Sequence, residues 1–163
     1  MNRSCHLIRF SSAFLISLLV CLWAAPVWAQ AARYSFSTDG SEVTDAQTGL
    51  IWHRCSEGQT WGPAAATCTG TVATYTHEAA LAQAKTQPGW RLPNVKELSS
   101  LVDKSRVSPS IDVTAFPGTP SNWFWSSSPY AGNASYAWNV IFGYGYVNLS
   151  YYRTYYSHVR LVR

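Results

Sequence analysis

The sequence has few charged residues. Only 12% of its 163 residues are charged, whereas 15% are aromatic, and its lysines and arginines form no run. A protein that binds nucleic acid through the phosphates needs a dense basic patch, so the composition argues against a nucleic-acid partner. A soluble chain with so few charges must bury many of its aromatic rings or present them to a partner.

The sequence also lacks the common patterns of catalytic and metal sites. It contains no CxxC, no HxxxH, no Gly-rich phosphate loop and no Gly-x-Ser-x-Gly elbow. The acids after Glu78 are few, and nothing places two of them in one cleft, as a glycosidase would need. We therefore expect no catalytic residue, no metal and no cofactor. The histidines of the later chain are predicted to lie at the surface or in turns: His53, His77 and His158.

The beginning of the chain is typical of a secretory signal peptide. Arg3 and Arg9 flank a polar start, an apolar run covers residues 10–23, and Pro26 precedes a small-residue cleavage pattern that ends at Ala29. The run is too short to span a bilayer. We predict a signal peptide over residues 1–29 and no transmembrane span after its removal. The protein is then exported to the periplasm, the outer surface or the medium.

Cysteine is scarce, and its positions are informative. Of the four cysteines, Cys5 and Cys21 leave with the predicted signal peptide, and Cys55 and Cys68 remain. An oxidising compartment allows these two to pair, and a loop of this size contributes about 3 kcal/mol to stability. We predict a disulfide between them. A reactive thiol at Cys55, close to His53, stays open as the alternative.

Residues 30–163 have the length of a single domain. Thr76 is a helix N-cap residue, and the helix it starts is expected to run to about Lys85; Asn94 and Glu97 form a capping-box pair at the start of a second helix. Residues 58–70 are predicted to be a loop. Short strands are expected over residues 50–52, 123–125, 137–142, 144–149 and 158–162. This pattern predicts an α+β domain.

The last third of the chain contains no acidic residue. Residues 113–163 carry only the formal charges of Arg153, Arg160 and Arg163. They hold eight of the ten tyrosines, namely Tyr130, Tyr136, Tyr144, Tyr146, Tyr151, Tyr152, Tyr155 and Tyr156. Tyrosine supplies rigid contact area with a polar tip, and Ser, Gly and Asn supply adaptable hydrogen bonds. This composition is typical of a recognition surface and suits sugars, including sulfated or uronic glycans.

We predict that the ligand-binding residues lie in this C-terminal region. They are Tyr144, Tyr146, Asn148, Ser150, Tyr152, Arg153, Thr154, Tyr155 and Ser157. An aromatic-rich β core with polar turns is the alternative interpretation, because alternate residues of a strand point inwards. We expect Trp138, Val140, Phe142 and Val147 to belong to such a core.

A set of motifs in a fixed order resembles a known family. The motifs are Thr48-Gly49-Leu50-Ile51-Trp52-His53-Arg54-Cys55, Gly58-Gln59-Thr60-Trp61, Cys68-Thr69-Gly70, Trp90-Arg91-Leu92-Pro93-Asn94-Val95-Lys96-Glu97-Leu98, Phe124-Trp125-Ser126-Ser127-Ser128-Pro129-Tyr130 and Val159-Arg160-Leu161-Val162-Arg163. Together they resemble the C-terminal domain family of the Legionella collagen-like adhesin. The resemblance implies a C-type-lectin-like fold with two helices and short antiparallel strands. It also implies an adhesive role outside the cytoplasm, with a glycan or a cell-surface protein as ligand.

The sequence departs from relatives of this fold in two respects. No collagen-like Gly-x-y tract precedes the domain. The tripeptides Leu92-Pro93-Asn94 and Trp138-Asn139-Val140 only partly match the calcium-binding tripeptides of animal lectins, and they lack the carboxylates that Ca²⁺ prefers. We therefore predict no metal site.

The resemblance leaves further hypotheses open. Residues 139–158 contain no Lys, Glu, Gln, Met or Trp, and many of their residues are those reached by changing adenines in Asn codons. They are therefore a candidate variable region diversified by a retroelement. The alternatives to a binding module are an enzyme on a fold related to the formylglycine-generating enzymes and a structural envelope subunit. The oligomeric state also stays open, with a homo-oligomer as one option.

Overall fold

The computed structural model describes residues 32–163, apart from the side chain of Ser150. The predicted signal peptide and its cleavage site lie outside the described residues. The elements, in chain order, are β1 (Tyr34–Phe36), β2 (Glu42–Asp45), β3 (Ile51–His53), β4 (Thr60–Gly62), β5 (Thr67–Thr69), α1 (His77–Lys85), α2 (Val95–Ser100), β6 (Trp123–Pro129), β7 (Tyr136–Ile141) and β8 (Tyr146–Tyr152). Helices and antiparallel sheets together make an α+β fold in which strands dominate, as predicted.

Both helices begin where their capping residues predict. The Thr76 hydroxyl accepts a hydrogen bond from the Ala79 amide at the start of α1. At α2, the Asn94 side chain accepts from the Glu97 amide at 2.9 Å, and the Glu97 carboxylate accepts from the Asn94 amide at 2.7 Å. These bonds satisfy backbone N–H groups that have no partner inside a helix. The predicted helices and the capping box are confirmed.

The strands form three small sheets in this part of the chain, with orders β1-β2-β3, β4-β5 and β6-β7-β8. All of the pairings between named strands are antiparallel. The β4-β5 hairpin occupies much of the stretch predicted to be a loop. Cys68 lies on β5 and bonds to Cys55, with a Cα–Cα distance of 5.5 Å. The predicted disulfide is confirmed, and it fixes the hairpin to the chain that follows β3.

The end of the chain, residues 157–163, returns to the body of the domain. The prediction of a regular strand over residues 158–162 is wrong, because the segment pairs only through isolated bridges. Val162 bridges Trp52 and Arg91, and His158 bridges Phe124. A segment that contacts several different elements cannot keep one register with any of them. We call residues 157–163 the closing segment; residues 157–162 are all buried.

The hydrophobic core consists of two clusters. Trp52, Phe116, Phe124, Val140 and Phe142 belong to the first cluster, so the predictions for Val140 and Phe142 are confirmed. The second contains Trp125, Ala137, Val159 and Leu161, among others, with Tyr151 packed against it.

Two other core predictions fail in the third sheet. Trp138 is only half-buried. Val147 is 45% exposed, so its prediction as a core residue is wrong. Val147 lies opposite Val140 on β8, but β8 is the edge strand of its sheet and has a neighbouring strand on one side only.

Arg160 is the largest charged group in the interior and is fully buried. Its guanidinium donates to the carbonyls of His53 and Arg54 and to the hydroxyls of Ser56 and Thr119. It also lies 4.8 Å from the centroid of the Phe116 ring. Within residues 32–163 no carboxylate forms an ion pair with it, and burial lowers the pKa of Arg160 to about 9. Carbonyl and hydroxyl oxygens therefore hold this cation inside the domain.

Candidate functional site

Three tyrosines form a continuous aromatic surface where β7 begins and β8 ends. Tyr136 and Tyr152 are paired across these strands, with ring centroids 4.5 Å apart. Tyr155, in the turn after β8, lies 5.3 Å from Tyr152. Tyr152 is 44% exposed and Tyr155 is 50% exposed. The hydrogen bond with Tyr152 raises the pKa of Tyr136. We call Tyr136, Tyr152 and Tyr155 the tyrosine cluster.

A groove of about 560 Å³ begins at the tyrosine cluster. It lies between the start of α1, the turn before β7 and the turn after β8. Tyr152 forms one wall, and Arg153 and Thr154 continue it. Glu78 contributes a carboxylate to the same groove. The described part of the chain supplies no carboxylate within ion-pair distance of Arg153.

The neighbours of Arg153 fix its position. Its backbone N–H donates to the Ser135 carbonyl at 2.9 Å, and its carbonyl accepts from the His77 amide at 2.9 Å. Its side-chain Nε donates to His77 Nδ1 at 3.1 Å, and Nη1 donates to the Ala134 carbonyl at 3.4 Å. A guanidinium that is already oriented loses less conformational entropy when an anion binds.

His77 holds Arg153 from beneath the groove and is only 1% exposed. Its Nδ1 accepts from Arg153, and its Nε2 lies 3.0 Å from the Ser126 carbonyl. These partners require a neutral ring with the proton on Nε2. Burial and the Arg153 charge lower the pKa of His77. The prediction that His77 and His158 lie at the surface or in turns is wrong. His158 is 8% exposed, and its Nδ1 lies 2.9 Å from the Ala73 carbonyl oxygen.

Two further exposed tyrosines lie at the other end of β8. Tyr144 and Tyr146 stack with ring centroids 6.2 Å apart, and their exposed fractions are 62% and 63%. The Lys104 ammonium lies 5.6 Å from the Tyr146 ring and donates to the Gly145 carbonyl. We call Tyr144, Tyr146 and Lys104 the hairpin tip. It is separated from the tyrosine cluster by the length of β8, about 20 Å at 3.3 Å per residue.

The predicted ligand-binding residues therefore do not form one site. Tyr152, Arg153 and Thr154 line the groove, with Tyr155 packed against Tyr152. Tyr144 and Tyr146 lie at the hairpin tip. Asn148 lies between them on β8 and is half-buried. Ser157 is 1% exposed and belongs to the closing segment, so its side chain is not part of the surface. Ser150 has no described side chain.

Sequence reasoning missed several residues of the groove and the hairpin tip. Tyr136 is not among the predicted site residues, because its pairing with Tyr152 depends on strand register. His77 and Lys104 reach the two regions from elements far away in the chain, 76 residues from Arg153 and 41 from Gly145 respectively. No local pattern marks either contact.

The described residues contain no group of three or more His, Cys, Asp or Glu side chains that could hold a metal ion. Both cysteines of residues 32–163 are bonded to each other, so the reactive thiol at Cys55 that the alternative interpretation needed is not available. No helix in the described part of the chain is long and apolar enough to cross a membrane.

Comparison with known proteins identifies the family. No curated protein matches the sequence. Residues 41–163 match the Lcl C-terminal domain family, which is the adhesin-associated family that the sequence motifs indicated and is not a known enzyme family. The match includes the disulfide, both helices, the groove and the closing segment. Because it covers well over half of the sequence, the chain belongs to the Lcl C-terminal domain family.

Proposed function

We propose that the protein is an exported binding module that recognises an acidic glycan through the tyrosine cluster and the adjoining groove. The observation that carries this proposal is the placement of Arg153, a pre-oriented cation without a carboxylate partner in the described chain, beside three packed tyrosine rings. Sugar C–H faces stack on aromatic rings, and a sulfate or carboxylate accepts from a guanidinium in the planar geometry that arginine favours.

The charge distribution supports an anionic ligand. Residues 113–163 contain no acid, so the strands and turns that carry the cluster do not repel a sulfate or a uronate. Glu78 is the carboxylate in the groove, and it is contributed by α1. An acidic glycan therefore binds best when its anionic group lies towards Arg153 and its ring lies over Tyr152.

We further propose that the fold is C-type-lectin-like. Its two helices, its antiparallel sheets and the return of the closing segment to β3 support this proposal. The Ile51 amide donates to the Arg163 carbonyl and the Arg163 amide donates to the Ile51 carbonyl, which brings the C-terminus back to an early strand. An experimental structure compared with lectin domains tests the assignment, and a different strand topology would reject it.

The proposed function is tested by a glycan array that includes sulfated and uronic polysaccharides, probed with the purified exported protein. We expect retention on acidic glycans. Tyr152→Ala and Arg153→Gln should each weaken binding by about tenfold or more, since central aromatic and arginine contacts dominate such interfaces. Tyr144→Ala removes an exposed ring of the same type at the hairpin tip and serves as the matched control, with little expected change.

Two results would reject the proposed function. In the first, both groove variants bind as strongly as the wild type. In the second, the protein retains no glycan but associates tightly with itself, which is the behaviour expected of a structural envelope subunit.

We also propose that a retroelement diversifies residues 139–158. The exposure of several of them supports this proposal, namely Tyr144, Tyr146, Tyr152, Thr154 and Tyr155. Sequencing the gene and its neighbourhood tests it. The proposal requires a reverse-transcriptase gene and a near-identical template repeat nearby.

A further inference from the structure

A second cavity, of about 440 Å³, lies beside the β4-β5 hairpin. Its walls include the Trp61 indole, the His53 ring and the carboxylates of Asp39 and Glu57. None of the residues that line it belongs to the tyrosine cluster, the groove or the hairpin tip. The described residues that line it include two acids and no lysine or arginine. Its described walls thus carry negative formal charge, whereas the groove combines Arg153 with Glu78.

Glu57 is a buried carboxylate that faces this cavity and is 8% exposed. One oxygen, Oε2, accepts from the side chains of Gln83 and Gln87 at 3.0 and 2.9 Å. The other, Oε1, has His53 Nδ1 at 3.9 Å. Burial alone raises the pKa of Glu57, but His53 and the two glutamines outweigh burial and leave the pKa below its usual value. The group is therefore ionised at neutral pH.

The charge of Glu57 has no lysine or arginine partner in the described chain. The other buried acid, Asp45, shows the usual arrangement, because Arg33 donates to it at 2.8 Å. A buried charge is costly unless it is paired. The partners of Glu57 are instead two amides and the His53 ring, and the residue lines the cavity, from which an entering cation would pair with it.

Asp39 adds a second negative charge at the rim. Its oxygens accept from the hydroxyls of Ser37 and Ser41 and from the Ser41 amide, and these bonds lower the pKa of Asp39 to about 2. Its backbone carbonyl accepts from the Trp61 indole N–H at 2.8 Å. This bond fixes the aromatic wall next to the acid.

The aromatic walls suit an organic cation. The Arg54 guanidinium already covers one face of the Trp61 ring, 4.0 Å from its centroid, so an entering cation has the opposite face of this half-buried indole to stack on. Arg54 itself is held by the carbonyls of Gly40, Thr114 and Ala115 and contacts neither cavity acid. His53 is held against Trp90, with ring centroids 3.7 Å apart. The Trp61 and His53 rings are thus fixed in place.

We propose that this cavity binds an alkylguanidinium group, which pairs with Glu57 and Asp39 and stacks on Trp61. A guanidinium matches a carboxylate through two parallel N–H donors and lies flat on an indole. A cavity of this volume is too large for a bare metal ion, and the described residues offer no cluster of metal ligands. The group can come from a free small molecule or from an arginine side chain of a partner protein.

An NMR titration of the purified exported protein, labelled with ¹⁵N, tests the proposal. The probe is Nα-acetylarginine amide, and the matched neutral control is Nα-acetylcitrulline amide, which has nearly the same shape without the charge. We expect saturable shifts of the Trp61 indole N–H and of the Gln83 and Gln87 side-chain signals with the arginine probe. The affinity for the citrulline probe should be lower than that for the arginine probe by about tenfold or more.

Variants connect the binding to the proposed groups. Glu57→Gln keeps the shape and removes the charge, and we expect affinity to fall about tenfold or more. Asp39→Asn should lower it several-fold and, being exposed, should not disturb folding, so the test stands even if Glu57→Gln fails to fold. Tyr152→Ala should leave arginine binding unchanged, which separates this site from the proposed glycan site.

The two sources are distinguished with a short acetylated Gly-Arg-Gly amide peptide. A partner protein as the source predicts tighter binding of the peptide than of acetylarginine amide, and a free metabolite predicts the reverse. Any one of three results would overturn the proposal. The arginine and citrulline probes bind equally well, no saturable shifts occur, or both Asp39→Asn and Glu57→Gln keep the wild-type affinity.

Discussion

Two adjacent stretches at the end of the chain both lack acids but lie in opposite environments. They are residues 144–156 and the closing segment. The first stretch presents most of its tyrosines to solvent, whereas residues 157–162 of the second are all buried, including Arg160. The difference lies in their partners. β8 pairs with one strand at the edge of a sheet, but the closing segment bridges β3, β6 and the chain before α2.

Composition therefore does not determine which residues are exposed. Tyr151 packs against the second core cluster, while its neighbour Tyr152 is 44% exposed. Stability should therefore depend on the closing segment and the disulfide, and ligand binding on the tyrosine cluster and its groove.

The largest effect is expected from Arg160→Ala. The substitution leaves a cavity and removes the donor that satisfies the His53 and Arg54 carbonyls, so we expect the free energy of unfolding to fall by about 3–5 kcal/mol. Chemical denaturation measures it. The matched control is Arg163→Ala, which removes an exposed ion pair with Glu42 and should cost less than about 1 kcal/mol. Equal losses in the two variants would contradict the assignment of Arg160 as the core cation.

A smaller loss is expected when the disulfide is removed. The double variant Cys55→Ala, Cys68→Ala should lower the free energy of unfolding by about 3 kcal/mol, because the open chain regains the entropy of a closed loop. Reduction of the wild-type protein should produce a similar loss. Glycan retention at temperatures where the variant remains folded should be unchanged, since the bond lies outside the groove. Loss of retention in the folded variant would show that the two regions are coupled.

The smallest effect is expected for the pH dependence of stability that arises from His77. This buried residue contacts Arg153 at the groove. Burial and the Arg153 charge place the folded-state pKa of His77 below its ordinary value of 6.5. Between the two values the unfolded chain binds a proton that the folded chain does not, so stability falls as the pH drops from 6.5 towards the folded-state pKa. We expect the melting temperature of the wild type to fall more than that of His77→Gln over this interval.

The pH prediction is measured as a difference between the two proteins, because carboxylates such as Glu57 also titrate in acid. If the melting temperatures of the wild type and of His77→Gln fall by the same amount between neutral and mildly acidic pH, His77 is not the titrating group. A drop in the wild type alone would identify the contact between His77 and Arg153 as the acid-sensitive point.

Local interactions explain what could be predicted. Asn94 and Glu97 satisfy each other's backbone N–H groups within three residues, so the sequence alone locates the start of α2. The disulfide follows from counting the cysteines that remain after Cys5 and Cys21 are assigned to the predicted signal peptide. The family follows from motifs in a fixed order, and residues 41–163 match it.

Long-range packing explains what could not be predicted. Val147 has the pattern of a core residue, but its exposure depends on the position of β8 at the sheet edge. His77 and His158 have no local mark of burial, and their neighbours come from β6, the turn after β8 and Ala73. The groove likewise joins α1 to turns more than fifty residues away in the chain.

The sequence by itself determined the class of fold, the two helix starts, the disulfide pair and the acid-free, tyrosine-rich character of the C-terminal region, since each depends on neighbouring residues or on simple counts. Only the tertiary structure decided which tyrosines face solvent, that Arg153 lies against His77, and that Glu57 is buried beside a cavity to which the described residues contribute no lysine or arginine. These outcomes depend on strand register and on which elements pack over each side chain, and chain-distant contacts determine both.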